Sequence, residues 1–347
     1  MDRPKVRLLV IGYGNIARRI ARILSSEVLQ YPRLGDLHLI PVGVFTQSHG
    51  ALENKAGMDW SEIHDHFEQF LRFTPSCPDF STRTAMEMIK TMDYDILVEL
   101  SPLNIREHGE PALSHIRTAL EKRHHVVTAN KGPLAFASGD LLTLARQNKV
   151  FFRFETTVMD GVPLFKTFTE EIAACRVESI SGILNSTTNF VLTECENGRS
   201  IEAAVAAAQQ GGFAEADPSF DLDGWDGAAK IAVLARILMN SPITPLMVER
   251  ESLSDMQPEK IREVKKEGKR VKYLCDTWRE GEVVHARVAP KIIDAGSLFA
   301  GVNGTSSIIQ IKTDGMVPLT FYQESPTLTD TAFGVLNDLA AIARKIG

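Results

Sequence analysis

VRLLVIGYGNIA, residues 6–17, is the stretch that decides the fold of this chain. A short apolar run ends at Gly12, and a helical pattern follows, so the order is strand, glycine turn and helix. Gly12, Gly14 and Ala17 fit G-x-G-x-x-G/A, in which the glycines allow a tight turn and close approach of a pyrophosphate. The helix start at Asn15 and Ile16 offers unpaired N–H groups to phosphates. These five residues therefore predict a dinucleotide site.

The end of the second predicted strand bears on the choice between NAD and NADP. An acidic residue at that point binds the ribose 2′-hydroxyl and favours NAD. Residues 45–48 are Phe-Thr-Gln-Ser, with no acid to exclude a 2′-phosphate. The stretch also holds no basic residue, although Arg18 and Arg19 are expected nearby. The cofactor is predicted to be NADP or NAD, with a slight preference for NADP.

Strands alternate with helices through the first 150 residues. Further strands are predicted at 37–45, 95–100 and 125–129, and helices at 16–24, 60–70, 110–122 and 134–148. Otherwise, residues 46–91 are expected to be a polar surface segment. Pro41 indicates an edge, a bulge or an irregular start in its strand. The alternation predicts an α/β fold, a Rossmann-type doubly wound parallel sheet.

The pattern changes after about residue 150. Alternating strands are predicted at 177–184 and 283–288, with more near 302, 308–311 and 317–321, and helices at 201–210, 224–239 and 258–268. This mixture predicts a separate α+β domain. A last helix, 330–346, carries an apolar stripe and is expected to pack back on the first domain. We therefore expect a dinucleotide-binding domain at 1–150, completed by about 318–347, and a substrate domain at 151–317.

Composition excludes several classes of protein. The 347 residues are 44% hydrophobic and 24% charged, as in globular chains of about two domains. A net charge of −6 argues against a nucleic-acid partner, and no apolar run approaches the roughly 18 residues of a membrane helix. The four cysteines are dispersed, without zinc or disulfide spacing, and the N-terminal apolar run is too short for a signal peptide. A cytoplasmic enzyme or regulator is expected, with a small-molecule ligand.

Two lysines lie where chemistry is expected. Lys131 directly follows the predicted strand 125–129, whose carboxyl end would face the cofactor crevice. Lys230 comes four residues after Asp226 on one helix face, and the helix beyond it is nearly all apolar and must be buried. An ammonium at that point needs a partner. Asp223 is expected to be the N-cap of this helix.

Five carboxylates precede Lys230, at positions 215, 217, 221, 223 and 226. Hydride transfer to a carbonyl leaves an alkoxide that an ammonium can protonate, and a neutral amine can take the proton in reverse. Carboxylates would attract a substrate ammonium. The residues alone suggest an amino-acid-like alcohol or aldehyde as substrate. The plain alternatives are a surface ion pair for Asp226 and Lys230 and a solvated loop lysine for Lys131.

The sequence resembles the homoserine dehydrogenase family over nearly its whole length. The matching segments are residues 12–17, 98–104 (VELSPLN), 109–113 (GEPAL), 126–135 (VVTANKGPLA), 182–190 (GILNSTTNF) and 215–230. The resemblance implies NAD(P)-dependent interconversion of L-aspartate 4-semialdehyde and L-homoserine, in the biosynthesis of threonine and methionine. It also implies a homodimer formed through the second domain, and the short form without a C-terminal regulatory domain.

Matching positions imply residue roles. Lys230 resembles the catalytic proton-transfer lysine, Lys131 its partner near substrate and nicotinamide, and Asp226 the acid that orients substrate or a catalytic water. Glu215 resembles the residue that holds the substrate amino group. Thr187 and Asp221 fall on the substrate side.

The resemblance also implies cofactor and ion contacts. The cofactor positions outside the glycine loop are Ser101, Asn104, Thr128 and Lys131. Relatives hold a sodium ion near the hinge, and the corresponding positions here are Glu155, Val158 and Gly161.

Three segments differ from the family pattern. Ser186 stands where the family has glycine in N-G-T, Met159-Asp160 replaces a small pair, and residues 321–325 (FYQES) replace a glycine-rich loop. These differences motivate two alternatives: a paralogous NAD(P)-dependent dehydrogenase acting on another hydroxy acid or semialdehyde, and a non-catalytic nucleotide-binding regulator.

Overall fold

The structure, a computed structural model, describes residues 5–346 and divides the chain into two compact units. The first unit extends to Gly161 and includes the chain again from Thr327, whereas the second is Val162–Pro326. Both divisions fall later in the chain than the 150 and 318 expected. Residues 1–4, which precede the N-terminal apolar run, and residue 347 lie outside the described residues.

A seven-stranded sheet forms the centre of the first unit. Its strands are β1 (Lys5–Ile11), β2 (His38–Thr46), β3 (Gly50–Glu53), β4 (Phe80–Ser81), β5 (Ile96–Glu99), β6 (His125–Thr128) and β7 (Phe152–Arg153). Their order across the sheet is β4-β3-β2-β1-β5-β6-β7. Pairing is parallel from β2 to β7, and β3 and β4 extend the β2 edge as antiparallel strands. The predicted α/β class with a parallel-rich sheet is confirmed.

Helices cover this sheet. They are α1 (Asn15–Arg22), α2 (Pro32–Gly35), α3 (Trp60–Phe70), α4 (Ala85–Thr91), α5 (Ala112–Glu121), α6 (Lys131–Asn148) and the last helix of the chain, α13 (Leu328–Ile346). Short π and 3₁₀ turns follow α1 and β7 at Ile23–Glu27, Val28–Gln30 and Glu155–Thr157.

Strand β1 is apolar from Leu8 to Ile11 because both of its faces are buried there. Leu8 and Val10 share one core cluster with α1, α3 and α13. On the other face, Leu9 lies beside Gly43 together with the methionines of the α4 segment, where a Cβ added to Gly43 would meet Leu9 at 2.7 Å and Met88 at 2.8 Å. Parallel sheets buried in this way have continuous apolar strands. The prediction that the last helix returns to the first domain is confirmed by the buried side chains of α13 in this cluster.

The segment 46–91 is not the surface segment expected. It supplies β3, β4 and α4, and Leu52, Phe73 and Met88 are at most 1% exposed. Its apolar runs are too short to show a clear period, so the pattern alone did not predict their burial. Of the three alternatives for Pro41, the bulge is found. Leu8 pairs with Pro41 and the next residue, Leu9, pairs with Gly43, so the β1–β2 register shifts by one residue at this point.

The second unit contains a six-stranded sheet. Its strands are β8 (Val177–Ile183), β9 (Glu249–Arg250), β10 (Lys269–Glu280), β11 (Val283–Asp294), β12 (Ser307–Thr313) and β13 (Leu319–Gln323), in the order β13-β12-β8-β10-β11-β9. All neighbours are antiparallel except β9 and β11, which are parallel. This is the predicted α+β character, although β10 was not predicted, because its first residues were assigned to the end of the preceding helix.

The helices of the second unit include one that carries Lys230. They are α7 (Leu164–Lys166), α8 (Ser186–Glu196), α9 (Ile201–Gln210), α10 (Ser219–Leu222), α11 (Trp225–Leu238) and α12 (Pro258–Lys266). Short π and 3₁₀ turns lie at Thr167–Glu171, Pro245–Met247 and Leu253–Asp255. Helix α11 lies close to the sheet at Gly227, where an added Cβ would be 2.9 Å from Sγ of Cys275. Between residues 5 and 346, no helix combines the length and apolar character needed to cross a membrane.

Candidate active site

A cleft of about 530 Å³ lies at the carboxyl ends of β1, β2 and β5 in the first unit. It is lined by residues 11–14, 45–49 and 100–104, together with Pro111 and His115. Doubly wound sheets bind ligands outside the carboxyl ends of their strands, so this is the expected position for a nucleotide.

The two glycines of the loop at this cleft differ in what they permit. Gly12 has φ +97°, and an added Cβ would lie 2.6 Å from the carbonyl carbon of Leu100, so this position requires glycine. At Gly14 an added Cβ would meet nothing within 4 Å. Gly14 also precedes the first residue of α1, where unpaired N–H groups favour a phosphate. The loop therefore fits a dinucleotide, with open space at the point where a pyrophosphate would approach.

The other predicted cofactor residues lie at different depths. Ser101 and Asn104 line the cleft. Asn15 is the exposed first residue of α1, Ile16 is half-buried, and Ala17 is 2% exposed in the core. Thr128 is fully buried and donates its hydroxyl to the carbonyl of Glu99 at 2.9 Å, so its side chain joins β6 to β5.

The end of β2 presents Gln47, Ser48 and His49 to the cleft. Ser48 Oγ and His49 Nδ1 are 2.9 Å apart. The two arginines considered for a 2′-phosphate are paired elsewhere: Arg18 lies 2.8 Å from Glu68, and Arg19 lies 2.7 Å from Glu27. Both arginines border a separate pocket beside α1 and α3.

Lys131 is the first residue of α6, which begins three residues earlier than the predicted 134. Its predecessor, Asn130, is the N-cap and accepts a hydrogen bond from Gly132 N at 2.9 Å. The Asn130 amide also donates to the carbonyl of Ser101 at 2.9 Å. Lys131 is half-buried, and its backbone is tied through Asn130 to the loop that lines the cleft.

A buried acid–imidazole pair borders the same cleft and was not among the predicted site residues. Glu99, the last residue of β5, is 0% exposed, and its Oε1 accepts a hydrogen bond from the Ser101 hydroxyl. His115 Nδ1 lies 3.6 Å from this Oε1. In the described part of the chain, neither Glu99 Oε2 nor His115 Nδ1 has a hydrogen-bond partner. The sequence signal was a glutamate between apolar residues near the end of the predicted strand 95–100 (DILVEL).

Asp226 and Lys230 form an ion pair in the second unit. Lys230 Nζ lies 2.9 Å from Asp226 Oδ2, and the two side chains are only 18% and 12% exposed. Lys230 also donates to the carbonyl of Leu184 at 2.5 Å. Residues 231–235 beyond it are all buried, as the apolar pattern predicted. The alternative of a solvated surface pair is therefore excluded, because both groups are largely removed from water.

Asn185 joins two of the acids and was not predicted as a site residue on its own account. Its amide donates to Asp221 Oδ1 at 2.8 Å and to Asp226 Oδ2 at 3.0 Å. Its Oδ1 caps α8 by accepting from Thr188 N at 2.8 Å. A helix N-cap motif, Asn followed by Ser-Thr-Thr after a strand, was present in the sequence and could have located it.

Asp221 is held near a second negative charge. Burial raises the pKa of its carboxyl, and the neighbouring Asp226 raises it further, while hydrogen bonds from Thr187 and Asn185 oppose this. Thr187 is 3% exposed, and its hydroxyl oxygen also lies 3.2 Å from the carbonyl of Phe213. Thr187, Asp221, Asp226 and Lys230 thus form one cluster around Asn185.

The remaining acids of the segment lie outside this cluster. Glu215 and Asp217 are exposed. The expectation that Asp223 caps α11 is wrong: Gly224, with φ +76°, occupies the N-cap, and Asp223 accepts a hydrogen bond from Ser252 Oγ at 2.7 Å. Arg250 also donates to the Asp223 carbonyl at 2.8 Å, which pins the start of the helix.

The three predicted sodium ligands lie within seven consecutive residues of the first unit. Glu155 begins the turn Glu155–Thr157, and its N–H donates to Asp338 Oδ2 at 3.0 Å. Burial and the charge of Glu155 raise the pKa of Asp338 to about 7. Gly161 lies against Gly334 of α13, where an added Cβ would be 3.2 Å from the Gly334 backbone. Among residues 5–346 no group of three or more His, Cys, Asp or Glu side chains has a metal-binding arrangement.

The chain is similar to proteins of one family. Residues 163–340, just over half of the chain, match the family described as homoserine dehydrogenase. An NAD(+)-dependent homoserine dehydrogenase of Pseudomonas canavaninivorans is 30% identical over 97% of this chain and 96% of its own length. A homoserine dehydrogenase of Methanocaldococcus jannaschii is 31% identical over 96% of this chain and 98% of its own.

The fold has a counterpart among solved structures. A mutant hyperthermophilic archaeal homoserine dehydrogenase in complex with NADPH superposes with a TM-score of 0.82 at 23% identity, and the match covers 99% of each chain. At that identity the likeness shows the shared fold.

Proposed function

This chain belongs to the homoserine dehydrogenase family, and from that premise we propose that it interconverts L-aspartate 4-semialdehyde and L-homoserine with NAD(P). The observation that carries the proposal is the buried Asp226–Lys230 pair, hydrogen-bonded to Asn185 and the Leu184 carbonyl. One aligned relative is NAD(+)-dependent, and a relative of the same fold was solved with NADPH.

The glycine loop and the cleft beside it would hold the cofactor. Gly14 leaves room for the pyrophosphate, and the first N–H groups of α1 would bind the phosphates. Ser101 and Asn104 would contact the nicotinamide–ribose half of the dinucleotide. When bound, the nicotinamide supplies the acceptor or donor of hydride. The protein positions the reacting groups and manages the proton.

Lys230 would move the proton at the substrate hydroxyl. During reduction of the semialdehyde its ammonium would donate a proton to the carbonyl oxygen, and during oxidation its neutral amine would accept that proton. Asp226, 2.9 Å away, fixes the direction of the Nζ group. The Leu184 carbonyl also accepts a hydrogen bond from Nζ. Asp226 and the Leu184 carbonyl together hold the Nζ group in one place.

The substrate carries both an ammonium and a carboxylate, and this chain offers both charges. Asp221 and the exposed Glu215 would attract the ammonium, with Thr187 beside Asp221 as a further hydrogen-bonding group. Lys131 at the start of α6 would act from the cofactor side, where the helix N-terminus adds positive potential. Its proposed partnership with Lys230 rests on the matching positions in the family.

The turn at Glu155 has the donor chemistry for a sodium ion. A carboxylate and backbone carbonyls are the oxygen ligands that hard cations prefer, and Glu155, Val158 and Gly161 supply them within seven residues. We propose this turn as the site of a structural sodium ion. Sodium would balance the negative charge that Glu155 and Asp338 bring together.

We also propose that the chain is a cytoplasmic homodimer. The open face of the second sheet supports association: Ser179, Trp278, Lys291, Phe299 and Gln310 line a shallow pocket on it. The four cysteines are all free thiols, as in proteins of reducing compartments.

Action on another hydroxy acid or semialdehyde is the second candidate, and one observation favours it. In the segment that replaces the family's glycine-rich loop, residues 321–325, the first three residues belong to β13, and Ser325 has φ +45°, a conformation that suits glycine. The family resemblance implies that this loop lies near the cofactor, so its replacement would change the shape available to a ligand.

Steady-state assays decide between the two candidates. The wild-type chain is assayed with L-homoserine, its D-enantiomer and a panel of 3- and 4-hydroxy acids, each with NAD and with NADP. Homoserine dehydrogenase activity predicts the highest kcat/KM for L-homoserine. A higher value for another hydroxy acid supports the paralogue, and cofactor binding without turnover of any compound supports the regulator.

A further inference from the structure

We propose that His115 is a binding residue for the nicotinamide–ribose half of the dinucleotide, and that Glu99 is the positioning residue that holds its ring. This inference deepens the proposed function and rests on it for the identity of the cofactor. The juxtaposition that carries it is the fully buried Glu99 carboxylate at the end of β5, 3.6 Å from the imidazole of His115, which lines the cleft.

The location follows from the order of the strands. Strand β5 lies on the opposite side of β1 from β2. Because the end of β2 faces the adenosine ribose of a dinucleotide, the other mononucleotide half lies over the end of β5. Glu99 is the last residue of β5, and His115, on α5, lines the same cleft.

The pair has unused hydrogen-bonding capacity that needs an explanation. Glu99 Oε1 already accepts from Ser101, whereas Oε2 is buried without a partner among the described residues. His115 Nδ1 is likewise buried and without one, although it lies only 3.6 Å from Glu99. Buried polar atoms are normally satisfied, so a small closure of this gap, driven by a ligand, would pair His115 Nδ1 with the Glu99 carboxylate.

Pairing through Nδ1 leaves the other ring nitrogen for the ligand. Nε2 lies on the opposite side of the ring from Nδ1, and His115 is one of the residues that line the cleft. A carboxylate at Nδ1 fixes which tautomer is present and keeps the ring in one orientation. Nε2 then meets a ribose hydroxyl or the carboxamide, the polar groups of the nicotinamide–ribose half.

The Glu99 network also extends toward Lys131. Ser101 donates to Glu99, and Asn130 donates to the Ser101 carbonyl and caps the helix that Lys131 begins. A ligand that draws His115 onto Glu99 therefore acts on the same loop that borders Lys131. All of these contacts lie in the first unit.

Binding titrations without substrate test the inference. The variants are His115→Asn, which keeps a donor near Nδ1 but loses Nε2, His115→Gln, which places an amide near Nε2, and Glu99→Gln. The ligands are NADH or NADPH, whichever the wild-type chain binds more tightly, and ADP, which lacks the nicotinamide–ribose half. His108→Asn is the matched control, because His108 is exposed with φ +51°, a conformation that asparagine tolerates.

We expect His115→Asn to raise the Kd for the reduced dinucleotide about tenfold, which corresponds to about 1.4 kcal/mol, and to leave the Kd for ADP unchanged. His115→Gln should recover part of the loss, and Glu99→Gln should show the same selective loss. An unchanged dinucleotide Kd in both His115→Asn and Glu99→Gln overturns the proposal. Equal losses for the dinucleotide and ADP also overturn it, since they indicate damage to the cleft as a whole.

The titrations remain informative if homoserine is not the substrate. They use no substrate, so absence of homoserine turnover contradicts the proposed function and leaves the His115 result standing. Conversely, normal turnover by a His115→Asn chain with unchanged dinucleotide Kd contradicts only this inference.

Discussion

Lys230 Nζ lies 2.9 Å from Asp226 Oδ2, one helical turn away, at the point where α11 passes into the core of the second unit. The pair is largely removed from water, and Asn185 holds the carboxylate from the other side. Buried pairs of this kind are not required for stability, because an apolar pair of similar volume often serves as well. Their presence at a family-matched position favours a chemical role.

Two variants separate the chemical role of this pair from its structural role. Asp226→Asn should lower the free energy of unfolding by about 3 kcal/mol, because Lys230 keeps its charge without the carboxylate that balances it. Adding Lys230→Met removes that charge and should restore most of the stability, measured by urea unfolding. The activity should stay lost in both proteins; recovery of turnover in the double variant would indicate a purely structural pair.

The glycine loop provides a matched pair of substitutions. Gly14→Ala should leave the unfolding temperature unchanged, because the new Cβ meets nothing, and should weaken dinucleotide binding by about tenfold or more. Gly12→Ala should lower the free energy of unfolding by about 3 kcal/mol, because of its positive φ and the contact with Leu100. Calorimetry and cofactor titration measure both effects. Tight dinucleotide binding by the Gly14→Ala chain would place the pyrophosphate elsewhere.

Lys272 provides a prediction for stability at alkaline pH. It is 0% exposed, and burial lowers the pKa of its ammonium to about 8. The unfolded chain keeps this lysine protonated up to about 10.5, so between pH 8 and 10.5 the unfolded state binds more protons, and this group makes stability rise with pH. The contribution is at most about 3 kcal/mol, at 1.36 kcal/mol per pKa unit.

Lys272→Met is the variant that measures the contribution of Lys272 to the pH dependence of stability. The methionine side chain cannot titrate, so the difference in unfolding free energy, wild type minus variant, should increase from pH 8 to pH 10.5. Lys272 donates to the Val302 carbonyl at 2.5 Å and to Asn303 Oδ1 at 3.1 Å, and the variant loses both bonds at every pH. A difference that stays constant across this range would show that the ammonium is not perturbed.

Much of the architecture could be predicted from the sequence because the signals were long or periodic. Helices 60–70 and 201–210 have the predicted bounds, since each has a polar N-cap and a regular apolar face. Strand β10 was missed because the basic run before it favours a helix end, and pairing with β8 and β11 supplies the stabilisation that local sequence does not. Register and sheet order are properties of such distant pairings.

The site could be predicted in part, for a similar reason. Lys230 and Asp226 were found because four residues on a helix fix their distance. Asn185, Glu99 and His115 were not proposed as site residues, because their partners lie 41 positions away for Asn185 and Asp226, and 16 for Glu99 and His115. The expected N-cap role of Asp223 failed because Asp223 is the C-cap of α10, and Gly224, in a left-handed conformation, is the N-cap of α11.

The central claim is that Lys230 transfers the proton in homoserine oxidation, and one measurement tests it most directly. The kcat of Lys230→Ala with L-homoserine is compared with that of the wild type, at a dinucleotide concentration that saturates both. Loss of a proton-transfer group predicts a fall in kcat of about 10² to 10⁴-fold with an unchanged Kd for the dinucleotide. A folded Lys230→Ala chain that turns over homoserine at the wild-type rate would contradict the account.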